Sequence, residues 1–451
     1  MMPEFYRKYY RIDLTLRSPL SIGSGKNENT DKDVIVDCSG TPFIPASSLV
    51  GAIRNYVYKK YGRATANKVF GFIPSTKEEN EKAKKNDPDY VARKTQVIVY
   101  DAILKKEERS SLFITSRDMV ALENKVATRG AKFDMEAVEP DVCFTTYIEL
   151  LTNDGCCDAC VQESLAAMDA GVIRLGSKTT RGYGEVGLKI KAATFNDVDA
   201  WLEFDMMLDE SWNTGGVTDC EKLPEISGYE ITVDLRQKGG ISIREYSTEP
   251  STGEKTMPDY ITMGLHPQKG SGGQIPVIPG TSWAGAFRER YKEFSDEAST
   301  KELFGIIEQE KKVTKDGKIE VHTLARKSQI TFSESRLSGG TYKLVSRNSI
   351  DRFTGAAKKG ALYTEKTYFD GETQLKISFT SIPEDVVLSR ISACLADLHN
   401  GYMAVGGLTA IGRGLFEIVS INGQSINAEG QKSESIFNII DRILKGDVKN
   451  E

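Results

Sequence analysis

PFIPASSLVGAIR at residues 42–54 and PVIPGTSWAGAFR at residues 276–288 are one pattern written twice. Each places an Ile-Pro pair before small hydroxylated residues, then apolar residues at helical spacing, then an arginine. Three further pairs follow in the same order. KVFGFI (68–73) answers to ELFGII (302–307), QVIVYDAIL (96–104) to QITFSESRL (329–337), and RGYGEV (181–186) to IGRGLF (411–416). The separations are 234, 234, 233 and 230 positions, so the matches are colinear and the chain is a duplicated domain.

Working outward, each copy reads as strand, helix, middle strands, helix and closing strand. RIDLTLRSPLSI alternates like a strand. SSLVGAIRNYVYKKYG begins on a serine pair suited to capping a helix, with Leu49, Ile53, Tyr56 and Val57 at helical spacing. QVIVYDAIL and FTTYIELLT read as strands, SLAAMDAGVIRLG as a helix, and GYGEVGLKIKAATF as the closing strand. The stretch from Ser75 to Arg93 is highly charged and reads as an exposed loop. This βαββαβ order predicts an α+β fold of two tandem ferredoxin-like, RRM-like domains with large insertions. The predicted boundaries are 1–196 for the first repeat, 197–227 for a connector, 228–423 for the second repeat, and 424–451 for a tail. The tail holds a short amphipathic helix, IFNIIDRILKG, expected to pack on its domain or on a neighbour.

Composition narrows the function classes. Of 451 residues, 39% are hydrophobic and 27% charged, which suits soluble packed domains. No apolar run approaches the ~20 residues needed to span a bilayer, and the first residues show no signal-peptide core. Seven unevenly spaced cysteines do not form a disulfide framework, so a cytoplasmic location with reduced thiols is expected. The net charge of −5 argues against a free-standing, non-specific nucleic-acid binder, although not against a local basic groove.

The sharpest local signal is a glycine-rich turn between helix and strand. RLGSKTTRGYGEV (174–186) carries Gly176, Gly182 and Gly184, and VGGLTAIGRGLFEI (405–418) carries Gly406, Gly407, Gly412 and Gly414. Glycines allow positive φ and close backbone approach. Lys178, Arg181 and Arg413 add charge that suits a phosphate backbone crossing the loop. A tight structural turn is the other reading. No GK[ST] follows, so this is not a nucleotide P-loop.

Taken together, PxIPxSSLxGxxR, the later FG and LGxxxxRGYG resemble the RAMP superfamily (repeat-associated mysterious proteins) of CRISPR effector complexes. The resemblance is to the branch that forms the repeating backbone of type III complexes, which bind guide RNA and cut target RNA. Two copies in one chain look like the fused backbone subunits of some type III variants. The resemblance implies a modified RRM-like palm whose first helix and glycine loop hold guide RNA. That points to Ser47, Ser48 and Arg54 in the first repeat and Thr281, Ser282 and Arg288 in the second. Hydroxyls and amides at a helix start, with an arginine one or two turns on, suit phosphate oxygens; capping by Ser47 and Ser282 is compatible with that.

It also implies a thumb hairpin that interrupts the guide–target duplex. ENKVATRGAKF (123–133), with Val126 and Gly130, and SRNSIDRFTGAAKKG (346–360), with Ile350, Asp351, Arg352 and Gly355, resemble it; the first lacks the Asp-Arg pair. Cutting members depend on an aspartate in the loop after the first strand and on a divalent cation, Mg²⁺ being the expected cofactor. Aligning VIVD with the family strand puts Asp31 at that position, with Asp33 as the alternative. Placing YIT (260–262) over VIV sets Met257 opposite Asp31 and Asp259 opposite Asp33. Asp259 is then a second catalytic carboxylate, or the second site is inactive. The implied partners are guide RNA, complementary target RNA and other effector subunits, with no membrane.

CCDAC (156–160), with Cys143 and Cys220 as further donors, lacks the four-ligand pattern of a zinc site, so zinc is not expected. His266, His322 and His399 form no motif, although His266 in GLHPQKGSGGQ would be the general base of a guide-RNA-processing nuclease. Three readings stand: a tandem backbone subunit that cuts target RNA, a non-cutting structural RNA-binding subunit of the same complex, and a metal-independent guide-processing endoribonuclease.

Overall fold

The computed structural model describes residues 5–23, 33–85, 87, 89–123, 126–214, 216–220, 223–226, 228–246, 258–265, 274–313, 319–426 and 434–446. The chain forms two compact units. The first comprises residues up to Ser227, apart from Leu122–Val126 and Thr180–Gly182, which group with the second; the second begins at Gly228.

In the first unit, β1 (Arg7–Leu16) is followed by α1 (Ala46–Phe70), β2 (Ala102–Leu104), the hairpin β3 (Ile114–Glu123) and β4 (Val126–Val138), β5 (Cys143–Leu150), α2 (Gly155–Asp169) and β6 (Val186–Phe195). The sheet order is β2–β5–β1–β6, wholly antiparallel, as a ferredoxin-like βαββαβ requires. The alternation read in the sequence decides which face is inside. Tyr10, Ile12, Leu14 and Leu16 are buried along β1. They meet Leu49, Ile53 and Val57 of α1 and Cys157, Val161 and Leu165 of α2 in one core. α1 is broken at Gly62, where φ is 83°.

The second unit repeats the plan. β7 (Tyr229–Lys238), β8 (Tyr260–Thr262), α3 (Gly280–Tyr291), β9 (Ile330–Phe332), the hairpin β10 (Thr341–Arg347) and β11 (Tyr363–Phe369), β12 (Glu372–Phe379), α4 (Asp385–His399) and β13 (Leu415–Ile421) follow in order. The sheet is β9–β12–β7–β13, again antiparallel. Trp283, Phe287 and Tyr291, one helical turn apart on α3, are fully buried in its core. α5 (Ile436–Lys445) packs on α4 through Ile439, Ile440 and Ile443, so the tail helix belongs to this unit.

Three expectations are corrected. The charged segment 75–93 contains a helix, Lys77–Lys84, begun by a reciprocal capping box between Thr76 and Glu79. The region 197–227 is no separate connector. Val217–Asp219 extends the first sheet beside β6, and Trp212 is buried against Tyr147 and Phe204, on a cluster with Tyr9 and Ala193. The serines that open the first helices do not cap them. The caps are Pro45 and Pro279, with no side-chain cap bond, and Ser48 and Ser282 donate their amides to the proline carbonyls at 2.9 Å. The prolines hold the extended ψ (139° and 144°) that a cap needs, which leaves the hydroxyls inside the first turn.

Candidate nucleic-acid interface

The helix starts are alike in both units. Ser47 is exposed, and Ser48, Thr281 and Ser282 are half-buried. Arg54, two turns into α1, donates to Asn67 Oδ1 at 2.8 Å. Arg288, its counterpart on α3, has a buried Nε with no hydrogen-bond partner among the described residues.

The glycine loops match dihedral by dihedral. φ is 76° at Gly176 and 92° at Gly406, 56° at both Lys178 and Leu408, 87° and 79° at Gly182 and Gly412, and 75° and 73° at Gly184 and Gly414. A Cβ on Gly184 would overlap the Leu175 carbonyl oxygen, and one on Gly414 that of Val405. Both loops are pinned at two points to the segment leaving the first strand. Gly184 donates to Pro19 O at 2.8 Å and Ser177 to Ser21 O at 2.8 Å, while Gly414 donates to Gly240 O at 3.0 Å and Gly407 to Ser242 O at 2.7 Å. The glycine loop and the residues that leave the first strand, 19–21 and 240–242, are therefore tied together in the same way in each repeat.

The loop cations point in different directions. Arg181 is exposed, and Lys178 lies over the Phe133 ring at 4.8 Å. Arg413 occupies the position of Tyr183 and, like it, faces inward; its Nη2 is 3.7 Å from Glu365 and its guanidinium 4.6 Å from the centre of the Phe369 ring. It is not the exposed loop cation the sequence suggested, because the residue between two positive-φ glycines turns toward the hairpin.

The aspartates require a change of register. Ile35 donates to Ile22 O at 2.9 Å in the first repeat, and Met263 to Ile243 O at 2.8 Å in the second. Counting back from those matched bonds puts Asp259 at the position of Asp31, and Ile261 at that of Asp33. Asp33 and Ile261 are both buried, whereas Asp259 is exposed. Asp259 exchanges backbone and side-chain bonds with Thr364: its amide donates to Thr364 O, and its Oδ2 accepts the Thr364 amide, both at 2.7 Å. Asp31 and Met257 lie outside the described residues.

The two hairpins occupy equivalent places but differ in charge. Residues 341–369 carry six basic and two acidic side chains, and residues 114–138 four of each. At the second tip the Asp351 carboxylate accepts the amides of Phe353 and Thr354 at 3.0 Å, which holds its pKa below the usual aspartate range. That turn presents Arg352 and Phe353 to solvent, Phe353 with 99% of its surface exposed. The first tip, residues 124 and 125, lies outside the described residues.

Other candidates are structural. Cys157 and Cys160 are buried in α2, and burial pushes both thiols up to about 11. Among the described residues no group of three or more His, Cys, Asp or Glu side chains is placed to hold a metal. His399 accepts the Ile418 amide at Nδ1, and burial lowers its pKa. His266 lies outside the described residues, as does the side chain of His322. No helix among the described residues is long and apolar enough to cross a membrane.

A model of the family described as the RAMP superfamily matches residues 13–187 and 261–417. One solved structure similar to the chain is described as "Cryo-EM structure of the Type III-B Cmr-beta bound to cognate target RNA". The identity is 21%, the match covers 42% of this chain and 61% of that chain, and the TM-score is 0.31. The match thus spans about three fifths of that chain, a likeness too distant to bear on function. No curated protein matches the chain.

Proposed function

The chain belongs to the RAMP superfamily over both of its repeats, and from that premise we propose that it is a tandem guide-RNA-binding backbone subunit of a type III CRISPR effector that cuts complementary target RNA. Each first helix and glycine loop takes a stretch of guide backbone, through Ser47, Ser48, Arg54, Lys178 and Arg181 in the first repeat and Thr281, Ser282 and Arg288 in the second. Arg352 contacts phosphate from the second hairpin.

One observation carries the reading. In both repeats the loop suited to hold RNA is pinned by the same bonds to the residues that leave the first strand, Pro19 and Ser21 or Gly240 and Ser242, upstream in the chain of Asp31 and Asp259. The cutting loop would then start from the binding loop. The cut is a transesterification: a ribose 2′-oxygen attacks the adjacent phosphorus, the bond to the 5′-oxygen breaks, and a cyclic phosphate and a 5′-hydroxyl result. Asp259 is exposed and fits a site with one protein carboxylate completed by RNA oxygens, as Mg²⁺ accepts. A divalent cation there would neutralise charge that develops on the phosphate.

A non-cutting structural subunit is the second reading. It is favoured by the Asp259 bonds to Thr364, which give that carboxylate an ordinary strand-end role. Cleavage of a matched target by the assembled complex separates the two. Asp31→Ala and Asp259→Ala should each remove one set of cuts and leave guide binding intact, and EDTA should remove both. Cutting unchanged in the double variant would defeat the nuclease reading at these residues.

A further inference from the structure

The two repeats place different side chains, with a different charge balance, at matched positions beneath the glycine loop. Matched bonds set the correspondence. Leu20 exchanges amide bonds with Val138 at 2.9 and 2.8 Å, and Ile241 donates to Tyr368 O at 3.2 Å. Val138 therefore corresponds to Tyr368, and Met135 to Glu365. The Ser21 and Ser242 pins set Gly23 against Arg244, and the glycine loops set Tyr183 against Arg413. In the first repeat Met135 and Tyr183 are buried in a small apolar cluster with Ala137. In the second, Glu365 is 2% exposed and three arginines surround it. Arg347 Nε lies at 3.0 Å, Arg413 Nη2 at 3.7 Å and Arg244 Nη1 at 3.8 Å.

Three guanidiniums face one carboxylate, an excess of two positive charges in a partly dry place. Among the described residues Glu365 is the one carboxylate paired with any of them. Burial and the neighbouring Arg347 push the Arg413 pKa down, as expected for under-compensated charge. Such charge is unfavourable unless matched. The first repeat does without the excess: Gly23, Met135 and Tyr183 stand at the positions of Arg244, Glu365 and Arg413, and the buried Arg117 over the Tyr183 ring is paired with Glu139 at 3.1 Å. The side chains of Arg244 and Arg347 keep 28% and 24% of their surface exposed, so the excess faces solvent on that side. Tyr260 stands opposite Glu365 in the parallel pairing of β8 with β11, which sets Asp259 beside this cluster.

We propose that Arg244, Arg347 and Arg413 form an anion site at the base of the second hairpin, pre-ordered by Glu365, which grips one RNA phosphodiester next to Asp259, and that the first repeat has no equivalent. The assignment to RNA rests on the function proposed above; the anion site does not. Two measurements on the full chain test them. Inorganic phosphate, against chloride at equal ionic strength, should give a saturable rise in Tm. E365Q, which removes the competing charge and keeps the shape, should bind phosphate about tenfold more tightly, as a 1.4 kcal/mol gain would give. R244G/E365M/R413Y, which installs the first repeat's residues, should abolish the response. No phosphate-specific rise in either wild type or E365Q, or a full rise in the triple variant, overturns the site. If the triple variant does not fold, E365Q decides alone: phosphate affinity no tighter than wild type overturns it.

The second measurement is single-stranded guide RNA affinity against salt. Losing one phosphate contact lowers the slope of log affinity on log salt by about 0.7. The triple variant should show that loss, or E365Q an RNA affinity higher than wild type. An unchanged slope and an unchanged E365Q affinity overturn the RNA assignment. No RNA binding by the wild-type chain counts against the proposed function, and the phosphate arm still decides the site.

Discussion

Gly412 and Gly414 sit two residues apart in one loop, both at positive φ, and the structure separates their burdens. A Cβ on Gly412 would meet nothing within 4 Å, whereas one on Gly414 would overlap the Val405 carbonyl. Gly412→Ala should therefore cost about 1 kcal/mol, the backbone penalty alone. Gly414→Ala should cost at least about twice that, because the loop must also move. Urea unfolding of the two variants checks the difference, and equal losses would show that the close approach is not limiting. The sequence marked both glycines by repeating them. It could not rank them, nor show that Arg413 between them turns inward, because that depends on what the hairpin places beneath. Asp259 was likewise visible as a candidate, but its register against Asp31 needed the hydrogen bonds of Ile35 and Met263.

At the scale of elements, helices were legible where apolar residues recur at helical spacing, as at Leu49, Ile53 and Val57. The Lys77–Lys84 helix was not, since none of its residues is buried and only its capping box declares it. The second hairpin was legible as a basic tip, and the Asp351 turn explains how Arg352 and Phe353 are held out. The folded-state pKa of Asp351 is depressed by the amides of Thr354 and Phe353. Its contribution to tip order is complete above the ordinary aspartate pKa and is lost as pH falls through the lower, folded value. Amide exchange at Phe353 and Thr354 should therefore show less protection in acid after correction for intrinsic rates, and Asp351→Ala should remove that protection even near neutrality. Protection unchanged between wild type and variant would mean that the carboxylate does not order the turn.

At the scale of the whole molecule, the two units have separate cores, and mutations in each should act on that unit. Trp212→Ala empties a buried site beneath the first sheet and should destabilise the first unit by roughly 3–5 kcal/mol; Ile440→Ala should cost the second roughly 2–5 kcal/mol. Calorimetry should resolve two transitions, each lowered by one variant. A single transition lowered equally by both would show that the units unfold together. The duplication, the βαββαβ order and the family were settled by the sequence, because repeated motifs and strand and helix periodicities are local and survive as text. Three things were decided only by the tertiary structure: that residues 197–227 complete the first unit, that Ile261 and not Asp259 matches Asp33, and that three arginines converge on Glu365. Each brings together residues far apart in the chain, and burial, register and charge excess exist only once the backbone has placed them side by side.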